Sequence, residues 1–175
     1  MRYAIYAIVA LVALQRLAEM RYAERNTTAL LHRGAVEIGR GHYPLIVALH
    51  ASWLAAIVLA LPSPPRIIWP CLSVFLALQA ARVWVIASLG PYWTTRIITL
   101  ESAPLVRRGP YRFVRHPNYL IVALEIAALP LAFGEFWVAL AFSLANAAIL
   151  SWRIYEEDRA LSARRSLLVD GGGGL

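Results

Sequence analysis

YPLIVALHASWLAAIVLALPSPPRIIWPCLSVFLALQAARVWVIASL, residues 43–89, decides the fold. Two apolar runs, Tyr43–Leu61 and Ile67–Leu89, flank Pro62-Ser63-Pro64-Pro65, and the stretch carries only Arg66 and Arg82 as charged side chains. Each run reaches the roughly 20 residues that a helix rising about 1.5 Å per residue needs to cross a bilayer core. The proline-rich break turns the chain back, so the two runs read as antiparallel membrane helices.

Three further apolar blocks lie outward of this pair: Tyr3–Leu17, Tyr119–Phe133 and Phe136–Trp152. They are short for a span, so their helices are expected to run past the apolar core or to tilt. The last two meet in a tight turn near Gly134-Glu135. The expectation is an all-α integral membrane protein of about five transmembrane helices, forming one domain over residues 1–165. Residues 166–175, with the run Gly171–Gly174, read as a low-complexity flexible tail of the kind an expression scar leaves.

Composition agrees. Hydrophobic residues are 60% of the 175 and charged residues 15%, too few to cover a soluble domain of this size. The net charge of +7 raises nucleic acid as a partner, but the arginines are dispersed between apolar blocks, where they act as topology signals instead. Arg21, Arg25, Arg33 and Arg40 follow the first block, and Arg96, Arg107, Arg108, Arg112 and Arg115 follow the third. Arg153, Arg159, Arg164 and Arg165 follow the fifth, leaving Arg2 and Arg66 for the opposite side. The positive-inside rule therefore puts the N-terminus outside and the C-terminus in the cytoplasm, in a bacterial inner membrane. The first block ends Leu14-Gln15-Arg16-Leu17 without a small-residue cleavage site, so it reads as a retained span. Cys71, the single cysteine, has no partner for an intrachain disulfide and reads as a small apolar side chain.

Chemistry that uses a soluble cofactor would then be built from residues 16–42, 90–118 and 153–161, which share the cytoplasmic face. In the middle segment, Gly109-Pro110 marks a turn and Pro117 suits the first turn of the fourth helix. A helix start beside arginines can hold a carboxylate or phosphate; it equally suits a basic loop resting on lipid headgroups. In the last segment, Arg153 and Glu157 stand four apart on one helix face, either as a surface ion pair or as ligand-binding groups. Within the blocks, Arg82, Glu125 and His50 are ionisable residues at membrane depth, where such groups suggest function by default. Arg82 either snorkels or pairs with Glu125, and His50 can sit buried on one backbone hydrogen bond. No metal cluster, Walker loop or Gly-x-Gly-x-x-Gly turn is present in the sequence.

Gly109-x-Tyr111, then Arg115-His116-Pro117-Asn118-Tyr119, then Arg153-x-x-x-Glu157 after one hairpin, resembles the isoprenylcysteine carboxyl methyltransferase family over about residues 89–161. Gln15-Arg16-Leu17-x-Glu19, Arg25-Asn26, Arg33-Gly34-Ala35-x-Glu37-x-Gly39, His42-Tyr43-Pro44 and Leu89-Gly90-Pro91-Tyr92-Trp93-Thr94-Thr95-Arg96 resemble a short bacterial branch of it. Some members of that branch are linked to methylation of long-chain polyketides such as alkylpyrones. The resemblance implies S-adenosylmethionine as cofactor and S-adenosylhomocysteine as product. It implies that Ala103, Pro104, Leu105, Val106, Tyr111, His116, Pro117, Asn118, Tyr119 and Glu157 line the cofactor, with Arg96 a further position. Arg153 would face the substrate.

Leu161 is followed by Ser162-Ala163-Arg164-Arg165, where family members acting on prenylcysteine continue with a Phe-Gly and tyrosine-rich segment. That departure weighs against a prenylated acceptor. A carboxylate acceptor needs no base; a phenol or enol does, and His50, His42, Glu37 and Glu125 are then the candidates. The expected partners are a lipophilic or prenylated substrate and membrane lipids, with no nucleic acid. The leading expectation is a membrane O-methyltransferase. The alternatives are an NADPH-dependent reductase of the sterol-reductase type and a non-catalytic lipid-binding membrane protein.

Overall fold

The structure is a computed structural model and describes residues 1–38, 41, 43–100 and 108–170, with side chains described up to Glu157 and at Arg159. Five α-helices carry the fold: α1 (Arg2–His32), α2 (Tyr43–Leu59), α3 (Trp69–Leu89), α4 (Pro117–Ala132) and α5 (Phe136–Asp170). Three of them, α1, α3 extended through Tyr92, and α5 up to Glu157, are long and apolar enough to cross a membrane. As expected of short blocks, α1 and α5 run well past their apolar cores into polar sequence.

The apolar run behind α2 promised a full span, yet the helix has 17 residues and stops at Leu59. The residue before a proline is pushed out of the helical region, so Pro62 ends the helix before the run is used up. α4, with 16 residues, is also short, about 24 Å at the helical rise. It is the most enclosed element, packed between α3 and α5 and burying residues such as Ile121, Val122, Ile126 and Leu129 on several of its faces.

The core joins α1, α2, α3 and α4 through Ile5, Val9, Trp53, Ile57, Phe75, Ile126 and Leu129. Trp53 adds a direct tie, its indole Nε1 donating to the Ile126 carbonyl at 3.2 Å. Leu11, Val74, Leu76, Val83, Trp84, Trp137 and Leu144 remain outward-facing, as lipid contact requires.

A two-stranded antiparallel ribbon was not anticipated from the sequence. β1 (Val36–Ile38) pairs with β2 (Ile97–Thr99), with Val36 opposite Thr99 and Ile38 opposite Ile97. It ties the segment after α1 to the segment after α3. Asn26 reinforces that tie, donating to the carbonyls of Gly90 at 3.2 Å and Trp93 at 2.8 Å.

At the other end of α4, Gly134 takes φ +79° and closes the turn into α5. Glu135 in this turn is 5% exposed, and neither carboxylate oxygen has a hydrogen-bond partner among the described residues. Burial pushes its pKa up to about 7.

Candidate active site

The motif 109–119 is positioned by the end of α3. Gly109 has φ +59°, and a β-carbon there would lie 2.1 Å from Ser88 Oγ and 3.3 Å from Trp84 Nε1. Only glycine meets both the backbone and the space requirement. Arg108 Nε donates to the Ser88 carbonyl at 2.8 Å, pinning the loop to α3. Pro110 and Tyr111 follow in a short 3-10 turn over Gly109–Arg112, and Pro117 opens α4 at a position that needs no backbone N–H.

This seating brings His116 and Tyr119 against the C-terminal part of α5. The His116 ring stacks on the Tyr119 ring, centroids 5.2 Å apart and planes 12° from parallel. Arg153 Nε donates to the Tyr119 hydroxyl at 2.7 Å, and that hydroxyl donates to Glu157 Oε2. The Arg153 guanidinium also lies 5.3 Å from the Tyr119 ring centroid, within cation–π range. Glu157 Oε2 lies 3.8 Å from His116 Nδ1. Arg153 and Glu157 therefore share a face, as their spacing predicts, and Tyr119 bridges them.

Tyr111 completes the set. Burial and the negative charge of Glu157 raise its pKa, so its phenol stays protonated at neutral pH and can donate. Asn118 Oδ1 is buried without a hydrogen-bond donor among the described residues. The site thus offers an amide carbonyl, an imidazole and a neutral phenol from around the start of α4, and a carboxylate and one buried guanidinium from α5.

Ala103, Pro104, Leu105, Val106 and His42 lie outside the described residues. Arg96 pairs with Glu24 at 3.3 Å and Glu37 at 3.5 Å, and its guanidinium sits 5.0 Å from the Tyr43 ring centroid. It joins α1, the ribbon and the start of α2. His50 is half-buried, and its Nδ1 lies 2.9 Å from the Ile46 carbonyl, the one backbone hydrogen bond expected of it, with an edge-on contact to Trp53.

Arg82 and Glu125 do pair, at 3.2 Å, within a larger cluster that joins α1, α3 and α4. Arg16 Nη2 donates to Glu125 at 2.7 Å, and Arg16 Nη1 pairs with Glu19 at 3.0 Å. Arg82 grips Glu19 through Nε at 2.9 Å to each oxygen and through Nη2 at 2.7 Å. Gln79 Nε2 donates to Glu125 Oε1 at 2.8 Å, and Gln15 Nε2 to Glu19 Oε1 at 3.0 Å. Glu125 is 2% exposed, Arg82 6% and Arg16 9%. Reading the sequence assigned no role to Arg16 and Glu19, although two charges three residues apart at the end of an apolar block are the signal that finds them.

A sequence model of the isoprenylcysteine carboxyl methyltransferase (ICMT) family matches residues 71–163, which include most of α3, all of α4, the motif loop and the Arg153–Glu157 segment. The chain is 39% identical over 160 residues to the uncharacterized protein YpbQ of Bacillus subtilis, covering 89% of this chain and 95% of the relative. It is 28% identical over 155 residues to an uncharacterized protein of Haemophilus influenzae, covering 84% and 88%. No solved structure matches.

Proposed function

The chain belongs to the isoprenylcysteine carboxyl methyltransferase family, a family of membrane methyltransferases, and from that premise we propose that it is an S-adenosylmethionine-dependent O-methyltransferase acting on a lipophilic acceptor. The observation that carries the reading is the Tyr119 hydroxyl held between Arg153 and Glu157, with His116 stacked on its ring. These four residues come from the two motifs that distinguish the family.

The donor set fits the cofactor. Glu157 and the buried Asn118 carbonyl are acceptors suited to ribose hydroxyls or an α-amino group. The Tyr111 phenol, kept neutral, is a donor to a carboxylate or a ring nitrogen. The cofactor, when bound, supplies an electrophilic methyl on a sulfonium, so the protein's share is positioning and exclusion of water. Arg153, 7% exposed, carries a charge that an anionic acceptor oxygen can face. An acceptor oxygen held there would be placed to take the methyl that the cofactor would supply, and the cofactor would leave as its thioether. A carboxylate acceptor reacts without proton transfer, whereas a phenol or enol must first lose its proton.

The arginine distribution supports an outside N-terminus, a cytoplasmic C-terminus and five membrane-embedded helices in a bacterial inner membrane. With that orientation the polar cofactor reaches the site from the cytosol and the acceptor arrives sideways from the bilayer. Ser162-Ala163-Arg164-Arg165, standing directly after Leu161 in place of a Phe-Gly pair, favours an alkylated polyketide-type acceptor over a prenylated protein.

The test is calorimetric binding to purified protein in detergent, with S-adenosylmethionine, S-adenosylhomocysteine and NADPH as ligands and Glu157→Ala as control. The expected result is micromolar affinity for the first two, lost in the variant. Binding of NADPH alone would replace this reading with a reductase, and binding of none would remove the catalytic reading.

A further inference from the structure

Tryptophan marks where the molecule meets the two bilayer surfaces. α3 carries exposed Trp69 and Trp84, and α5 carries exposed Trp137 and Trp152. Both pairs stand the same distance apart in sequence, about 22 Å along a helix. Tryptophan concentrates at membrane–water interfaces, so the first of each pair marks one surface and the second the other. The motif loop is seated at the second level. A β-carbon on Gly109 would lie 3.3 Å from Trp84 Nε1, and beyond the loop Tyr119 meets Arg153, the neighbour of Trp152.

At that level the loop presents Arg112-Phe113-Val114-Arg115, a run of exposed side chains. Phe113 is 75% exposed and Val114 43%. No slack in the chain holds them out. The N–H groups of Phe113 and Val114 both donate to the Pro110 carbonyl at 3.1 Å, and Arg108 ties the same turn to α3. A fixed turn that keeps a phenyl ring out of the fold leaves that apolar area to be covered by something else. The flanking arginines have no carboxylate partner among the described residues, whereas Arg96 has Glu24 and Glu37. The Arg112 guanidinium stands instead 5.9 Å from the Phe113 ring centroid.

We propose that residues 112–115 form a docking finger for an anionic phospholipid. Phe113 and Val114 enter the edge of the acyl region, and Arg112 and Arg115 hold the lipid phosphate. A guanidinium meets a phosphate through parallel N–H bonds, and each basic side chain at an anionic membrane surface adds attraction. Headgroup charge sets the class. A zwitterionic headgroup brings its own cation to the same place, which two unpaired arginines repel, whereas an anionic headgroup brings none. The site does not depend on the methyltransferase reading.

The test is native mass spectrometry of the purified protein in detergent, titrated with phosphatidylglycerol and with phosphatidylcholine of the same acyl chains. Phosphatidylglycerol should bind about tenfold tighter. Arg112→Gln with Arg115→Gln should bring it down to the level of phosphatidylcholine. Arg25→Gln with Arg159→Gln removes the same charge from exposed positions on α1 and α5 and should keep the preference. Insertion is read separately, by a nitroxide on Phe113→Cys in a Cys71→Ala background, in phosphatidylglycerol nanodiscs. That label should be more accessible to oxygen than to a water-soluble nickel chelate, and a label on Arg159→Cys the reverse. Equal affinity for the two lipids, or equal loss in the two double variants, would overturn the proposal. So would a label at position 113 open to the nickel chelate, which would put the finger in water, where a protein partner docks.

Discussion

Replacing Glu125 by alanine removes the hub of the buried cluster. Three hydrogen bonds disappear, from Arg16 at 2.7 Å, Gln79 at 2.8 Å and Arg82 at 3.2 Å. The two guanidiniums keep only Glu19, so a balanced set of two cations and two anions becomes one with an excess positive charge. Breaking a buried pair from one side costs about 3–5 kcal/mol, because the remaining charge stays desolvated. For a domain of this size that corresponds to a fall in Tm of roughly 6–20 °C. The double variant Glu125→Ala, Arg82→Ala restores the balance, with Arg16 and Glu19 still paired at 3.0 Å, and should recover part of the loss. The assay is thermal unfolding in one detergent, read by tryptophan fluorescence, for wild type, both single variants and the double. The reasoning is refuted if Glu125→Ala melts within a degree or two of wild type. It is also refuted if the double variant is less stable than the sum of the singles.

Further expectations concern the motif loop and the two ends of α4. Gly109→Ala places a β-carbon against Ser88 Oγ at a positive φ and should cost about 1–3 kcal/mol, with weaker cofactor binding, measurable by unfolding and calorimetry. Arg153→Ala should impair acceptor turnover at least tenfold while changing cofactor affinity little; equal losses would reassign Arg153 to the cofactor. Glu135 has a folded pKa of about 7 against an ordinary 4.5, so the folded state holds its proton more tightly. Its stabilising contribution is present below about pH 4.5 and is lost as pH rises through about 7. Tm should therefore fall between about pH 5 and 8 in wild type, and Glu135→Gln should flatten that part of the profile.

The helices were legible because apolar length and proline breaks are local signals. Pro62 and Gly134 stand where the chain turns, and Pro117 where α4 begins. The extent of α2 was less legible, since an apolar run does not say how soon the following prolines end the helix. The ribbon was missed because Val36–Ile38 and Ile97–Thr99 are three-residue strands whose pairing is a non-local contact. At the site, the motif spacing placed Arg153 and Glu157 together, but not the Tyr119 hydroxyl between them, which depends on how α4 meets α5. The cost of charge at membrane depth left two readings for Arg82, snorkelling or pairing with Glu125, and the structure has the second. The larger cluster was not legible, because the register of α1 against α3 is unmarked in a run of similar apolar residues.

That missing register has a physical answer in the cluster itself. Helices in a bilayer gain no hydrophobic advantage from packing on one another, since lipid is as apolar as leucine. Sliding α1 along α3 by one turn would exchange one set of apolar contacts for a similar one. It would also pull Glu19 away from the three donor contacts of Arg82, and Arg16 away from Glu125. Ion pairs at depth contribute little net stability, yet each misregistered arrangement leaves charges unpaired. They therefore act by penalising the alternatives. The Tyr119, Arg153 and Glu157 contacts do the same between α4 and α5. α4 is common to both sets, so Glu125 and Tyr119, six residues apart, set the register of its neighbours on two faces, and the second face carries the candidate active site.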